Sequence, residues 1–366
     1  MFKMATAMPS LLSRFCGCLA AAVAGDVLGS KYEGLSAVLL GDVVEHVEKH
    51  SKNPDNVKTP EEFTDDTAMA RSVAASLIEN KGYIAKDMAN RFATEFKKEP
   101  FRGYGANVVT VFDKLLDPSL TDVYKPARDQ FNGSGSYGNG GAMRIAPVAL
   151  FTYDNIDEMK RIAKESTLLT HSHRLGYNGA ILECAAVHRA LHSPAPLDAQ
   201  KYIDELIEIM NDVELEEYRV TRSQSPSKKE TGDQASEESE GSVRKPYCEK
   251  LKKIKELLEN EDTSTIDVVD CLGHDISAHE SVPTAIYSFV RSLKPIPSTP
   301  NNGLVRTIVY AISLGGDTDT IATMAGAIAG AYYGMESVPE SWKTCCEGVN
   351  DAIDYANQLH RLLVEK

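Results

Sequence analysis

The chain has 366 residues, of which 42% are hydrophobic and 25% are charged, with 25 Gly and 16 Pro. These fractions are typical of a soluble globular protein, and they exclude a fully disordered chain, a collagen-like chain and a disulfide-knot scaffold. The formal net charge is −14, from 39 Lys and Arg against 53 Asp and Glu. We therefore expect no direct binding of nucleic acid through a basic surface.

The predicted elements begin with an apolar stretch near the N-terminus. Residues 1–12 are expected to be a flexible terminus, and the stretch from Cys16 to Ala24 predicts a buried first helix. A targeting segment is the alternative, because the basic residues Lys3 and Arg14 precede the apolar ones and a mitochondrial address would have this composition. By our count no apolar run reaches the ~20 residues of a membrane helix, so no membrane span is expected.

Helical periodicity dominates the rest of the chain. Residues 67–78 place Met69, Val73 and Leu77 at i, i+4 and i+8, which is one face of a helix. The best candidate strand, at 145–152, is weak. We therefore predict an all-α fold. Similar patterns predict further helices over residues 155–169, 178–192, 199–211, 247–258, 303–314, 320–334 and 348–363.

A polar segment interrupts this pattern at residues 221–245, where Ala235 and Val243 are the only aliphatic residues. Such a segment buries too little surface to offset its ordering entropy, which predicts a disordered insertion. Helices rich in small residues are predicted on both sides of it, so we expect one domain over residues 13–366. The seven cysteines have irregular spacing and no C-x-x-C pair, which indicates reduced intracellular thiols.

Two clusters of carboxylates and hydroxyls stand directly before predicted helices. Residues 64–67 read Thr-Asp-Asp-Thr, and residues 315–320 read Gly-Gly-Asp-Thr-Asp-Thr. Helix capping explains either cluster by itself, since Asp and Thr bind free N–H groups and complement the helix dipole. If the clusters face each other, four carboxylates meet, and divalent cations would relieve their repulsion. The pair therefore predicts a site for two divalent ions.

Residues 131–144 form a glycine-dense segment in which Gly133, Gly135 and Gly138 match a Gly-x-Gly-x-x-Gly pattern. A Rossmann fold is rejected, because the preceding residues 126–130 are not an apolar strand. The backbone N–H groups of such a loop can still bind phosphate oxygens. A flexible surface loop is the alternative interpretation.

His171, His173 and Glu33 are weaker candidates when each is taken alone. A His-x-His pair without a third ligand is a poor zinc site, and Glu33 alone is an ordinary surface glutamate. The chain has neither His-Glu-x-x-His nor Gly-x-Ser-x-Gly, which argues against a zinc peptidase and a serine hydrolase.

Together, these motifs resemble the ADP-ribosylglycohydrolase family, which includes the dinitrogenase-reductase-activating glycohydrolase. They occur in the family's order over residues ~15–340. Some stretches are more similar to the family's type-three branch. The motifs shared with the family are at residues 25–29, 64–67, 136–144, 169–171 and 315–320, and those shared with the branch are at 102–106, 130–133, 280–287 and 315–335.

The resemblance implies a compact orthogonal helical bundle whose central cleft holds two Mg²⁺ ions, with Glu33 as the catalytic residue. His274 stands where relatives carry an Asn, in the stretch that contacts adenosine. The metal ligands implied by position are Glu33, Thr64, Asp65, Asp66, Asp317, Asp319 and Thr320. The implied substrate-binding residues are Asp65, Gly103, Phe131, Ser134, Gly135, Ser136, Tyr137, Gly138, Asn139, Gly140, His171 and Ile276.

The resemblance also implies the reaction, which is hydrolysis of the O-glycosidic bond that joins ADP-ribose to serine or to a further unit of poly(ADP-ribose). O-acetyl-ADP-ribose is a further expected substrate. We expect a monomer in the nucleus and cytoplasm, with a fraction in the mitochondrial matrix. The alternatives are an inactive ADP-ribose-binding module, a structural protein like the relatives recruited as lens crystallins, and a two-metal phosphohydrolase that cuts the diphosphate.

Overall fold

The computed structural model describes residues 8–52, 59–224 and 244–365. Within these ranges the chain forms α-helices and short 3₁₀ turns, joined by loops, and no β-strand. The predicted all-α fold is confirmed. The helices are α1 (Leu11–Ser30), α2 (Leu40–Lys52), α3 (Asp65–Asn80), α4 (Ala85–Lys98), α5 (Ala106–Leu115), α6 (Lys125–Arg128), α7 (Ala146–Phe151), α8 (Ile156–Leu168), α9 (Arg174–His192), α10 (Ala199–Gln224), α11 (Pro246–Glu259), α12 (Thr265–Leu272), α13 (Ala278–Arg291), α14 (Gly303–Ser313), α15 (Thr318–Tyr333), α16 (Trp342–Cys345) and α17 (Val349–Val364).

Helices α1 and α15 form the centre of the molecule, and both are buried along almost their whole length. Their backbones touch, because glycines line the contact. A Cβ added to Gly25 would lie 2.2 Å from the carbonyl oxygen of Ala322, and one added to Gly330 would lie 2.0 Å from that of Gly17. The small residues noted in the sequence therefore allow a close helix pair.

Helix α1 is also the one helix in the described residues whose length and composition would suffice to cross a membrane, which corrects our count of apolar runs. Of its most apolar window, 89% is buried inside the protein, as predicted for a first helix of the core. The helix begins at Leu11, within the terminus that was expected to be flexible. Residues 1–7 lie outside the described residues.

The weak strand candidate at 145–152 is not a strand, in agreement with the all-α prediction. Residues Ala146–Phe151 form the short helix α7, and all six are buried. A short apolar run that is buried all round has no alternation of polar and apolar residues, so periodicity cannot separate strand from helix there. Pro147 in the first turn favours the helix, because that position needs no backbone N–H.

The structure describes only the two ends of the predicted insertion at 221–245. Helix α10 extends to Gln224, so residues 221–224 of the segment are helical. Residues 225–243 lie outside the described residues, and helix α11 begins at Pro246.

We predict that Gly330→Ala destabilises the protein by about 3 kcal/mol, because the new Cβ overlaps backbone atoms of Gly17 that cannot move independently. Urea unfolding measures the change in free energy. Gly82→Ala is the matched control, since its nearest contact would be at 3.8 Å. Equal stability of the two variants would contradict the close packing of α1 on α15.

Candidate active site

The first turns of α3 and α15 meet, as the sequence predicted for the two acidic clusters. Thr64 is the N-cap of α3 and Asp317 is the N-cap of α15. The hydroxyl of Thr320 donates to Oδ2 of Asp66 at 3.3 Å, and the hydroxyl of Thr64 approaches the same oxygen at 3.4 Å. The side chains of the two helix starts therefore converge on Asp66.

Asp26 of α1 positions the start of α3, and the sequence reasoning assigned it no role. Its buried carboxylate accepts hydrogen bonds from the backbone N–H groups of Thr64 and Thr67, at 3.1 Å each, and from the Thr67 hydroxyl at 2.5 Å. The feature of the sequence that points to Asp26 is that it is a single carboxylate inside the apolar run of α1. Its partners lie 38 and 41 residues away, so the pairing is not visible in the sequence.

Glu33 is placed by a turn that follows α1. The N–H of Gly34 donates to the carbonyl of Gly316 at 2.9 Å, and the N–H of Gly316 donates to the carbonyl of Leu35 at 2.8 Å. Both glycines have positive φ, which other residues rarely adopt. A carboxylate oxygen of exposed Glu33 thereby lies within 4.8 Å of one from each of the buried side chains of Asp317 and Asp319.

The donor set fits divalent cations that prefer oxygen. Asp66 is buried, and its Oδ1 has no hydrogen-bond partner among the described residues. An unpartnered buried carboxylate oxygen is unfavourable unless a cation or a proton binds it. Carboxylates and hydroxyls are the ligands that Mg²⁺ takes. The residues that would hold the metal are Glu33, Thr64, Asp65, Asp66, Asp317, Asp319 and Thr320.

Burial and mutual repulsion make these carboxyl groups weak acids when no cation is bound. Burial, followed by repulsion from Asp26 and Asp317, raises the pKa of Asp65 to about 8. Burial and the charge of Asp317 raise the pKa of Asp319 to about 9. Burial also raises the pKa of Asp66 well above its ordinary value. Burial and repulsion therefore favour the binding of protons or cations at this site.

The glycine-dense loop packs against the segment that precedes α13. The N–H of Asn139 donates to the carbonyl of Ile276 at 2.9 Å, and the N–H of Ala278 donates to that of Tyr137 at 3.1 Å. The side-chain amide of buried Asn139 donates to the carboxylate of Asp317 and, at 3.0 Å, to the Ser281 hydroxyl. Asn139, predicted from the resemblance to bind substrate, therefore links the loop to the acidic cluster in this structure.

The ring of His171 lies between the Thr170 hydroxyl and the glycine-dense loop. The guanidinium of Arg144 donates to the Thr170 hydroxyl at 2.7 Å, and that hydroxyl lies 2.8 Å from Nδ1 of His171. Burial, then the charge of Arg144, lowers the pKa of His171 to about 3, so the ring is neutral. Nε2 would lie 3.0 Å from a Cβ at Gly140, so it faces the loop.

Other predicted residues lie around these groups. Gly103 has a φ of 89°, and its Cβ position would be 3.7 Å from Oδ1 of Asp65. His274 binds the carbonyl of Leu314 through Nδ1 at 2.8 Å, and its own carbonyl accepts the N–H of Asp317 at 2.9 Å, so it positions the acidic cluster. The loop residues Gly135, Ser136 and Gly138 are buried or half-buried, whereas Phe131, Ser134, Tyr137 and Ile276 are exposed.

The chain is similar to known proteins over nearly its whole length. The sequence model of the ADP-ribosylglycohydrolase family matches residues 7–366. ADP-ribosylhydrolase ARH3 of Mus musculus is 48% identical, over 97% of this chain and 93% of the relative, and that of Homo sapiens is 48% identical, over 96% and 94%. The protein of the same name from Danio rerio is 42% identical, over 96% and 91%.

A solved structure also shares the fold. The chain described as an ADP-ribosylglycohydrolase-related protein complex superposes with a TM-score of 0.64 at 20% identity, over 96% of this chain and 98% of the other. The family model and the relatives named ADP-ribosylhydrolase show that the chain is a glycohydrolase enzyme. The chain belongs to the ADP-ribosylglycohydrolase family.

We predict that Asp26→Asn lowers the free energy of unfolding by about 2–4 kcal/mol, because the new amide places a donor against the N–H donors of α3. Thermal or urea unfolding measures it. Asp157→Asn, at an exposed position in the first turn of α8, should change stability by less than about 1 kcal/mol. A small effect at Asp26 would contradict its assigned capping role.

We predict that the metal-free protein loses stability as pH rises from about 5 to about 8. The ordinary pKa of Asp65 and Asp319 is 3.8, and their folded values are about 8 and about 9, so the native state binds more protons than the unfolded chain in this range. The free energy of unfolding therefore falls with pH. Urea titrations in EDTA and in saturating Mg²⁺ measure the two slopes, and equal slopes would contradict cation replacement of protons.

Proposed function

We propose that the chain is a Mg²⁺-dependent hydrolase that cleaves the O-glycosidic bond of ADP-ribose attached to serine and between units of poly(ADP-ribose), releasing ADP-ribose. O-acetyl-ADP-ribose is a further proposed substrate. The observation that carries the proposal is the approach of exposed Glu33 to buried Asp317 and Asp319, with ligand oxygens within 4.8 Å of one another. The relatives named ADP-ribosylhydrolase, at 42–48% identity, support the substrate class.

Neutral donors would bind the diphosphate. The loop at residues 134–140 offers backbone N–H groups, and Nε2 of His171 faces the same loop. The Ser134 hydroxyl donates to the carbonyl of Phe131 at 2.8 Å and would have to turn to reach a phosphate. Backbone amides in such a turn bind anions without Lys or Arg. Exposed Phe131 and Ile276 offer apolar surface for the adenosine. A protein with a net charge of −14 can in this way take an anionic ligand at one cleft.

Glu33 would act as the acid and then as the base. Cleavage of the glycosidic acetal passes through an oxocarbenium-like transition state, in which the leaving oxygen needs a proton. Partial burial of its carboxyl group, then repulsion from Asp317 and Asp26, raises the pKa of Glu33, which favours its protonated form. Once the serine oxygen has left with this proton, the carboxylate accepts a proton from the attacking water. Glu33 is exposed, so its side chain has room to turn towards a substrate.

When bound at these residues, divalent ions would supply charge neutralisation, orientation of ribose hydroxyls and polarisation of a water. The protein's own contribution is to hold the ligands in place. Asp26 fixes the first turn of α3, Asn139 holds the Asp317 carboxylate, and the N–H of Thr320 donates to Oδ1 of Asp319 at 2.8 Å. Asp65 would in addition bind a ribose hydroxyl beside Gly103.

We predict that Glu33→Gln binds ADP-ribose with little change but lowers turnover of a serine-ADP-ribosylated peptide by about 10²–10⁴-fold, because the amide cannot donate and recover the proton. Calorimetry measures binding, and mass spectrometry measures released ADP-ribose. Glu62→Gln is the matched control, an exposed glutamate just before α3. Undiminished turnover in Glu33→Gln would contradict the assignment.

We predict that Asp319→Asn weakens Mg²⁺ binding by more than about 10-fold and lowers turnover with it, because one buried ligand charge is removed. EDTA should abolish activity of the unmodified enzyme, and Mg²⁺ should restore it. Activity that survives EDTA would contradict the metal requirement. Release of AMP and a phosphorylated sugar would indicate a phosphohydrolase, and binding without release would indicate an inactive binding module.

We also propose that the enzyme is a monomer that acts on ADP-ribosylated proteins and polymer without binding nucleic acid or membranes, in the nucleus and cytoplasm with a fraction in the mitochondrial matrix. All seven cysteines are free thiols in the structure, which supports a reducing compartment. Size-exclusion chromatography tests the oligomeric state, and microscopy of the tagged full chain tests the location.

A further inference from the structure

A second cluster of metal-ligating side chains lies outside the active site. His46 and His50 are one helical turn apart on α2, and both face Glu61. Nε2 of His46 lies 3.2 Å from Oε2 of Glu61, and Nε2 of His50 lies 3.0 Å from Oε1. One ligand atom from each of the three side chains lies within 4.8 Å of the others.

The hydrogen bond at Nδ1 of His50 determines which nitrogen of its ring has a free lone pair. Nδ1 of His50 lies 2.8 Å from the backbone carbonyl oxygen of His46. A carbonyl only accepts, so Nδ1 carries a hydrogen, and in the neutral ring Nε2 is an acceptor. That lone pair faces the carboxylate of Glu61, which is also an acceptor. Two acceptors at 3.0 Å repel each other unless a proton or a metal cation binds both.

Protons alone satisfy this cluster poorly. His46 and His50 are 7% and 2% exposed, and their ring centres are 4.6 Å apart. If His50 took a second proton to bind Glu61, its ring would be a buried imidazolium, while His46 could donate from Nε2 as a neutral ring. Nδ1 of His46 has no hydrogen-bond partner among the described residues, so no contact fixes which nitrogen of that ring carries the hydrogen. A single cation can bind both Nε2 atoms and the carboxylate at once.

We propose that His46, His50 and Glu61 bind a transition-metal ion of the Zn²⁺ class. Zn²⁺ takes imidazole nitrogen and carboxylate oxygen, usually in a tetrahedron, whereas Mg²⁺ prefers oxygen ligands alone. The side chain of Glu61 is 38% exposed while both imidazoles are buried, so a water would complete the tetrahedron on the side of Glu61. The proposal is independent of the reaction at the acidic cluster.

The bound ion would fasten α2 to the segment that leads into α3. The N–H of Glu61 donates to the carbonyl of Cys345 at 2.9 Å, and the N–H of Glu347 donates to the carbonyl of Glu61 at 2.9 Å. The carboxylate of Glu347 in turn binds the guanidinium of Arg102 at 2.7 and 3.0 Å. These contacts are structural, so the role of the ion is to stabilise the folded protein.

The chain contains a matched pair of histidines that lacks the carboxylate. His188 and His192 are one turn apart on α9, and Nδ1 of His192 lies 2.8 Å from the carbonyl oxygen of His188. Nε2 of His188 lies 2.9 Å from the carbonyl oxygen of Tyr153, so it donates there. This pair has the same backbone contact as His46 and His50, and it serves as the control.

The test is Co²⁺ and Zn²⁺ binding by the full chain in saturating Mg²⁺. We expect Co²⁺ to give the strong visible absorption of four-coordinate cobalt, Zn²⁺ to displace it, and Zn²⁺ to raise the Tm by a few degrees. His46→Gln with His50→Gln should lose all three effects, and Glu61→Gln should weaken binding by more than about 10-fold. His188→Gln with His192→Gln should leave all three unchanged.

The Asp319→Asn protein separates this site from the acidic cluster, because the cobalt absorption should survive that change. Absence of the absorption from the unmodified protein would overturn the proposal, as would its persistence in Glu61→Gln or in the His46 and His50 variant. Far-UV circular dichroism checks that the variants fold. Glu61→Gln is the milder change, since it keeps the size of a side chain at a partly exposed position.

Discussion

The backbone contact between α1 and α15 positions both halves of the active site. A Cβ at Gly25 or Gly29 would overlap Ala322 or the first turn of α15, at 2.2 and 2.6 Å, so only glycine lets α15 begin directly on α1. On the same turn of α1, Asp26 points to the start of α3 and accepts its first N–H groups. One turn of one helix thereby brings two helix starts, and their carboxylates, to the same place.

This convergence has an electrostatic consequence. Carboxylates gathered in a buried site repel one another and lose hydration, so their pKa values rise until protons or cations neutralise them. The helix dipoles at the starts of α3 and α15 favour negative charge but cannot balance so many carboxylates. Asn139 contributes a neutral donor to Asp317 and ties the glycine-dense loop to the cluster. The cations and the loop that would bind the diphosphate are thus coupled through one side chain.

The acidic cluster and the cluster of His46, His50 and Glu61 offer different metal ligands. At the starts of α3 and α15 all candidate ligands are oxygens, which suits a hard ion and a sugar. At the second cluster, the imidazoles of His46 and His50 share the carboxylate of Glu61. The backbone carbonyl of His46 accepts a hydrogen bond from Nδ1 of His50, which leaves Nε2 of that ring facing the carboxylate. Most of the chain's excess of acidic residues lies outside both clusters, since the active site accounts for only a few of the 53 Asp and Glu.

The sequence determined the helical class, since apolar residues at a period of 3.6 recur along the chain, and it indicated that the two acidic helix starts would meet. It could not identify the buried all-apolar helix at 146–151, which has no periodic pattern, nor α13, whose internal Pro283 argues against a helix. Only the tertiary structure showed that Asp26 caps α3, that Asn139 turns inwards and that His46 and His50 meet Glu61. These pairings depend on distances between helices that are remote in the chain, and local patterns carry no information about them.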